Sequence, residues 1–140
     1  MTPRQSILAE CLRRGKPAVV VACIDLLQHH HDVDDEIVVA LGGPQAHFVL
    51  DGHEGGKSGY WPRVWAARGL LHAWDERAVQ AIICATTDDA WRVREMAAKV
   101  IARHRVGDAL TAVAELENDP VPRVRAAGKR AVVVLTSSAM

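Results

Sequence analysis

Aromatic side chains are scarce in this chain: one Phe, one Tyr and four Trp among 140 residues that are 49% hydrophobic. Ala and Val carry much of the apolar share, which favours close helix-on-helix contact over a thick aromatic core. Cysteine is nearly absent too. Cys11, Cys23 and Cys84 are odd in number, widely spaced and set among apolar neighbours. They exclude a disulfide frame and read as small core residues of a reducing compartment. No apolar run approaches the roughly 18 residues that span a bilayer; the longest is Ala18 to Ile24. The opening Met-Thr-Pro-Arg-Gln lacks a basic stretch followed by an apolar one, so no secretory signal is expected and the chain is placed in the cytoplasm, away from membranes. Net charge is also missing, with 17 Lys and Arg against 17 Asp and Glu, but the balance is uneven along the chain. Residues 1–56 hold four basic and eight acidic side chains, and residues 57–140 hold thirteen and nine. The halves therefore carry −4 and +4, enough to steer a partner or to help the halves pack.

What the chain does have is a repeat. From Pro62 onward, positions recur every 31 residues without a gap: Arg63, Arg94 and Arg125; Ala66, Ala97 and Gly128; Arg68, Lys99 and Arg130. Ala78 with Ala109, Ile82 with Val113 and Asp88 with Asp119 continue the register. A period of that size, carried by small and apolar residues, marks stacked helical units.

Taken in order, Thr2-Pro3 with Gln5 predicts a capped helix start. Gly15 ends that helix, and Pro17 opens a second to about Gln28. Asp34, Asp35 and Glu36 precede a third, Ile37 to Leu41, where the helix dipole favours negative charge. Gln45 to Leu50 is too short for periodicity to separate helix from strand, and 51–59 is a loop. The regular array then predicts helices over Pro62–Trp74, Glu76–Thr86, Ala90–His104, Asp108–Glu117 and Pro120–Leu135, with Asp89 and Asp119 as N-caps. Small residues at 66, 97 and 128 allow neighbouring helices to approach closely.

Asp89, Val93, Arg94, Ala97, Ala98 and Ile101 carry a recognisable pattern, matched with changes by Arg63, Ala66, Ala67 and Leu70 and more weakly by Val124, Arg125, Gly128 and Val132. This segment resembles HEAT-type repeats, specifically the short variety of phycobilisome-lyase-like proteins, over about residues 59–136. The resemblance implies an all-α fold: an α-α superhelix, or HEAT-like solenoid, of about eight or nine helices. It would form a single domain over 1–140, with 1–58 as a degenerate N-terminal cap including the loop 51–59, and 59–140 as the regular repeats. It also implies that Arg63, Arg94 and Arg125 pair with Asp88, Asp89 or Asp119, tying successive loops together.

A second basic set shares one stripe at roughly 100° per residue. Arg92, Lys99 and Arg103 align on one helix, with Arg68 on the helix before and Arg123 and Arg130 on the helix after. Stacking would make a basic ladder, which serves solubility or tracks an acidic partner. Tyr60 and Trp61, beside the glycine loop, form a candidate aromatic anchor. The opposite face, with Gln80 and Thr111, Cys84 and Glu115, Thr87 and Asn118 at matching positions, is short and weakly charged.

Two tempting motifs fall short. Gly52 to Ser58 resembles a phosphate-binding loop, but Asp51 stands where the first Gly belongs and Pro62 delays the helix. His29, His30 and His31 splay about 100° apart on a helix and do not converge on one metal, unless joined by His47 or His53. No nucleophile, base and acid order is visible, so neither catalysis, metal nor cofactor is expected. The function expected is a non-catalytic scaffold that binds another protein, with self-association as a homodimer next. Nucleic-acid binding through Arg68, Arg92, Lys99, Arg103, Arg123 and Arg130 ranks behind it, and lyase or chaperone-like activity rests on fold analogy alone.

Overall fold

The computed structural model describes residues 1–30 and 32–137, and among them the chain is all-helical with no strand. Nine α-helices follow one another: α1 Pro3–Arg14, α2 Lys16–Leu27, α3 Asp35–Gly42, α4 Gln45–Leu50, α5 Tyr60–Gly69, α6 Val79–Ala85, α7 Trp91–His104, α8 Leu110–Leu116 and α9 Pro122–Thr136. Short 3-10 turns, Glu76–Ala78 and Gly107–Ala109, lead into α6 and α8, and a third spans His53–Ser58.

Local chemistry explains the starts. The Thr2 hydroxyl accepts from the Gln5 N–H at 3.1 Å while the Gln5 side chain accepts from the Thr2 N–H at 2.9 Å, a closed capping box. Asp34 caps α3 by accepting from the Glu36 N–H at 2.7 Å. Gln45 to Leu50 resolves as helix α4, whose Ala46 and Val49 turn inward. Helix α5 begins at Tyr60, two residues before the expected Pro62, and at α7 and α9 the capping differs from expectation. The carboxylate at the α7 start is Asp88, which accepts from the Ala90 N–H at 2.9 Å, while Asp89 is exposed and offers Arg94 only its carbonyl, at 3.1 Å. Asp119 plays the same part for the Val121 N–H at 2.9 Å, and the proline at the first position of α9 is Pro122, not Pro120.

Helix α5 also ends earlier than its apolar pattern suggests. It stops at Gly69, and 70–72 form a turn, where His104 of α7 takes up the Leu70 carbonyl at 2.7 Å and stacks on Trp74 at 4.5 Å. Tertiary partners replace the hydrogen bonds that a longer helix would have made.

Helix α7 packs between α5 and α9, α6 lies against α7 and α2, and α8 against α9. At the other end α1 meets α2 and α3, α2 meets α5, and α3 meets α4 and α5. One apolar core runs through all of these layers, from Ile7, Val20 and Leu41 through Leu70 and Ile82 to Ile101, Val113 and Val124. The small repeat positions sit in it: Ala66, Ala97 and Gly128 are buried. A Cβ on Gly128 would lie 2.8 Å from Leu116 Cβ and 3.0 Å from the Val113 carbonyl, so α8 and α9 approach as closely as their backbones allow. Cys23 belongs to this core and Cys11 to its edge, but Cys84 is exposed on α6 and is not a core residue. No helix among the described residues is long and apolar enough to cross a membrane.

Candidate binding face

The 31-residue register becomes three rows across α5, α7 and α9. The first row holds the loops together. Arg63 donates through Nε to Asp88 Oδ2 at 2.8 Å and through Nη2 to Oδ1 at 3.0 Å. Arg94 repeats this on Asp119 at 2.8 and 3.1 Å. A planar guanidinium matches a carboxylate in this two-point way, and both pairs are largely shielded from water. The third nitrogen of each arginine reaches back to the loop before its own helix, at the carbonyls of Gly59 for Arg63 and of Asp88 and Asp89 for Arg94. Burial pushes the Asp119 carboxyl up, but the Arg94 bonds, the Val121 N–H and the charges of Arg94 and Arg125 outweigh it and leave the carboxyl below its ordinary range. Arg125 departs from the expected pairing. Its Nη1 donates to the Asp119 carbonyl at 2.8 Å, and no carboxylate meets it among the described residues.

The second row lies at the first turns of the same helices and interleaves rings with guanidinium groups. Trp61, Arg92 and Arg123 occupy equivalent positions, as do Tyr60, Trp91 and Pro122. Arg92 sits 4.5 Å from the centroid of Trp91, 5.4 Å from Trp61 and 5.9 Å from Tyr60, while Arg123 lies 5.3 Å from Trp91. Such contacts place cations over the negative ring faces. The anchor expected at Tyr60 and Trp61 is thus partly occupied from within the chain. Both residues are half-buried.

The third row breaks the expected ladder. Arg68 turns inward: Nη2 donates to the Leu41 carbonyl at 2.7 Å, Nε is buried without a partner among the described residues, and burial holds its pKa below the usual arginine range. Lys99, Arg103, Arg123 and Arg130 remain exposed. Lys99, Arg123 and Arg130 surround a groove of about 250 Å³ between α7 and α9, walled by Ala98, Ala102, Ala126 and Ala127. A neighbouring depression lined by Leu71, Arg103 and Val134 shares Lys99, Ala102 and Arg130 with it. One acid sits in this groove. Glu95, buried on α7, accepts from Arg123 Nε at 3.0 Å and lies 3.8 Å from Lys99 Nζ. Sequence reasoning missed Glu95, although its spacing of four from Lys99 is a signal for an ion pair on one helix face. It also missed the His104 contacts with Leu70 and Trp74, for which no short-range signal exists.

Elsewhere, Cys84, Thr87 and Glu115 share a shallow depression between α6 and α8. The glycine-rich stretch is no phosphate cradle: Glu54, Gly55 and Gly56 all have positive φ, and Lys57 is drawn off to Asp35 at 2.7 Å. His30 reaches Asp25 at 3.5 Å, His53 stacks on Phe48, and His31 lies outside the described residues. No group of three metal-ligating side chains comes together among the described residues.

No family model, curated protein or solved structure gives a match to this chain. What the face is for therefore rests on its geometry.

Proposed function

We propose that the chain is a HEAT-like α-solenoid module, without chemistry of its own, that docks an acidic, partly apolar segment of another protein on the α7–α9 face. The observation that carries this reading is the groove with alanine walls and a cationic rim formed by Lys99, Arg103, Arg123 and Arg130. Small side chains let a helical segment approach closely, and the surrounding charges select acidic flanks, which is the pattern of helix-in-groove recognition. Helix α9 carries Arg123, Arg125, Lys129 and Arg130 and no carboxylate, so the field over this face has one sign apart from Glu95.

Nucleic acid competes for the same charge but is favoured less. Binding of single strands gains from open aromatic faces on which bases stack. Here Arg92 and Arg123 of the chain itself cover Trp91, and Arg92 also covers Trp61.

The test sets an acidic amphipathic helical peptide against oligo-glutamate and an oligonucleotide of matched charge, each titrated at rising salt. We expect the amphipathic peptide to bind more tightly than oligo-glutamate, to keep part of its affinity in salt, and to lose it in Lys99→Glu/Arg130→Glu. Binding of the oligonucleotide alone, falling steeply and linearly in log salt, would replace this reading with nucleic-acid recognition. Light scattering of the free protein reports whether a second copy already covers the face.

A further inference from the structure

A second concavity, sharing no lining residue with the α7–α9 groove, lies between α4, the His53–Ser58 turn and α5. Its walls are Gln45, Phe48, Val49, Glu54, Trp61 and Trp65, and it encloses about 290 Å³. Trp61 and Trp65 stand four residues apart, which brings both rings to one side of α5, with centroids 6.3 Å apart. Gln45, Phe48 and Val49 share a side of α4 in the same way. Three of the chain's six aromatic residues therefore meet at one small cavity.

The rings are held, but not all are covered. Trp65 is buried, and its indole lies so close to Gly42 that a Cβ there would stand 2.5 Å from it. Phe48 is 49% exposed, yet its ring is steadied by His53, stacked at 4.0 Å and 7°. An exposed Phe opposite two tryptophans is unusual in a chain this poor in aromatics.

Glu54 supplies the charge. It has left-handed backbone angles, φ 56° and ψ 32°, between glycines that share positive φ, and a non-glycine residue rarely adopts them. Strain of that kind gathers at binding sites, where neighbouring structure holds it in place. Among the described residues Glu54 has neither an ion pair nor a side-chain hydrogen bond, whereas the neighbouring Lys57 is committed to Asp35. The cavity thus joins aromatic walls to a carboxylate that has no ion pair among the described residues. Trp61 is shared with a guanidinium of the chain itself, Arg92 at 5.4 Å, and Phe48 and Trp65 complete the aromatic walls.

The same chemistry excludes other ligands. Phosphates and carboxylates meet Glu54 and aromatic faces, both of the wrong sign. A hard metal ion wants six or more oxygens, and a primary ammonium three acceptors, where the walls offer one carboxylate and one amide. A quaternary ammonium needs no hydrogen bonds, only polarisable walls and a nearby negative charge. The volume, about 290 Å³, falls just below the roughly 300 Å³ at which ligand pockets begin, and so favours a small molecule.

We propose that this cavity binds a small trimethylammonium compound of the choline class, with its methyl groups against Phe48, Trp61 and Trp65 and its charge facing Glu54. The site is separate from the α7–α9 groove and stands whether or not that groove binds protein.

The test titrates the whole protein with choline and follows tryptophan fluorescence and the indole N–H resonances. Its neutral isostere, 3,3-dimethylbutan-1-ol, is the control for apolar filling, and a trimethyl-lysine peptide is the control for a protein source. We expect saturable binding of choline, at least about tenfold weaker binding of the isostere, and a loss of about tenfold in Glu54→Gln and in Phe48→Ala. Both substituted side chains are exposed, so the variants should fold, and unchanged circular dichroism confirms it. Equal affinity for the isostere, no saturable change, or unaltered binding by Glu54→Gln would each overturn the assignment. Tighter binding of the trimethyl-lysine peptide than of choline would overturn the small-molecule source.

Discussion

Replacing Arg94 by Met keeps most of the apolar stem and removes the fork that grips Asp119. The structure sets the scale. Arg94 and Asp119 side chains are 14% and 7% exposed, and the variant loses two charge-assisted bonds to the carboxylate and two to the carbonyls of Asp88 and Asp89. Exposed ion pairs contribute ~0.2–1 kcal/mol, whereas breaking a buried one by removing a single partner costs ~3–5 kcal/mol. A pair this shielded, but set in surface loops, should lie toward the lower end of the second range, about 3 kcal/mol. For a domain of this size that lowers Tm by roughly 10 °C. Asp119→Asn is the natural second arm, because its amide oxygen still accepts from the Val121 N–H while the charge and the acceptor for Arg94 Nε are lost. Urea unfolding of wild type, both single variants and the double variant gives the coupling energy, expected at about 2 kcal/mol. Arg63→Met should cost as much as Arg94→Met, since its bonds to Asp88 repeat the same geometry. Arg125→Met should cost only about 1 kcal/mol, because it gives up a single bond to a carbonyl. A coupling below about 0.5 kcal/mol, or an Arg125→Met variant as damaged as Arg94→Met, would refute the claim that the carboxylates carry the stabilisation.

Gly128→Ala should destabilise the protein. The ~1 kcal/mol gained in helix propensity is outweighed by forcing a Cβ against Leu116 and the Val113 carbonyl, a clash of about 1–3 kcal/mol, and the urea midpoint reads the sign. His72 and His104 both have pKa values held below the ordinary histidine range. Burial is the main cause for each; nearby Arg4 and Arg103 reinforce it at His72, and the Leu70 carbonyl partly offsets it at His104. The unfolded chain therefore binds their protons more readily. This stability is complete above a pH of about 6.5 and is lost as pH falls through the lower folded-state values, so Tm should decline on mild acidification and His104→Gln should flatten the decline. Asp119 adds a further loss as pH falls below about 4, absent in Asp119→Asn. Arg68→Met should change stability by less than about 1 kcal/mol, because its charge is buried against a single carbonyl with Nε unpartnered, and chemical denaturation checks it.

The amino-acid order alone determined the features that act within a few residues or recur at the 31-residue register. The Thr2–Gln5 capping box, the Asp34 cap, the small residues at 66, 97 and 128 and the row of Arg63, Arg94 and Arg125 belong to this class. Helical periodicity and local hydrogen bonding decide them before the chain compacts. The tertiary structure decided which atoms meet across helices. Asp88, not Asp89, faces Arg63 because one residue of turn geometry separates a carboxylate that points to the neighbouring helix from one that points to water. Arg68 leaves the basic stripe because the end of α3 presents the Leu41 carbonyl to it, while Lys99 and Arg130 meet no backbone carbonyl of this kind among the described residues. Glu95 becomes the counter-ion of Arg123, 28 residues on, and Phe48, Glu54 and Trp61 close one cavity from three elements. A wheel drawn on one helix gives the direction of a side chain, but its partner depends on where a second backbone comes to rest, and packing of the shared core sets that position.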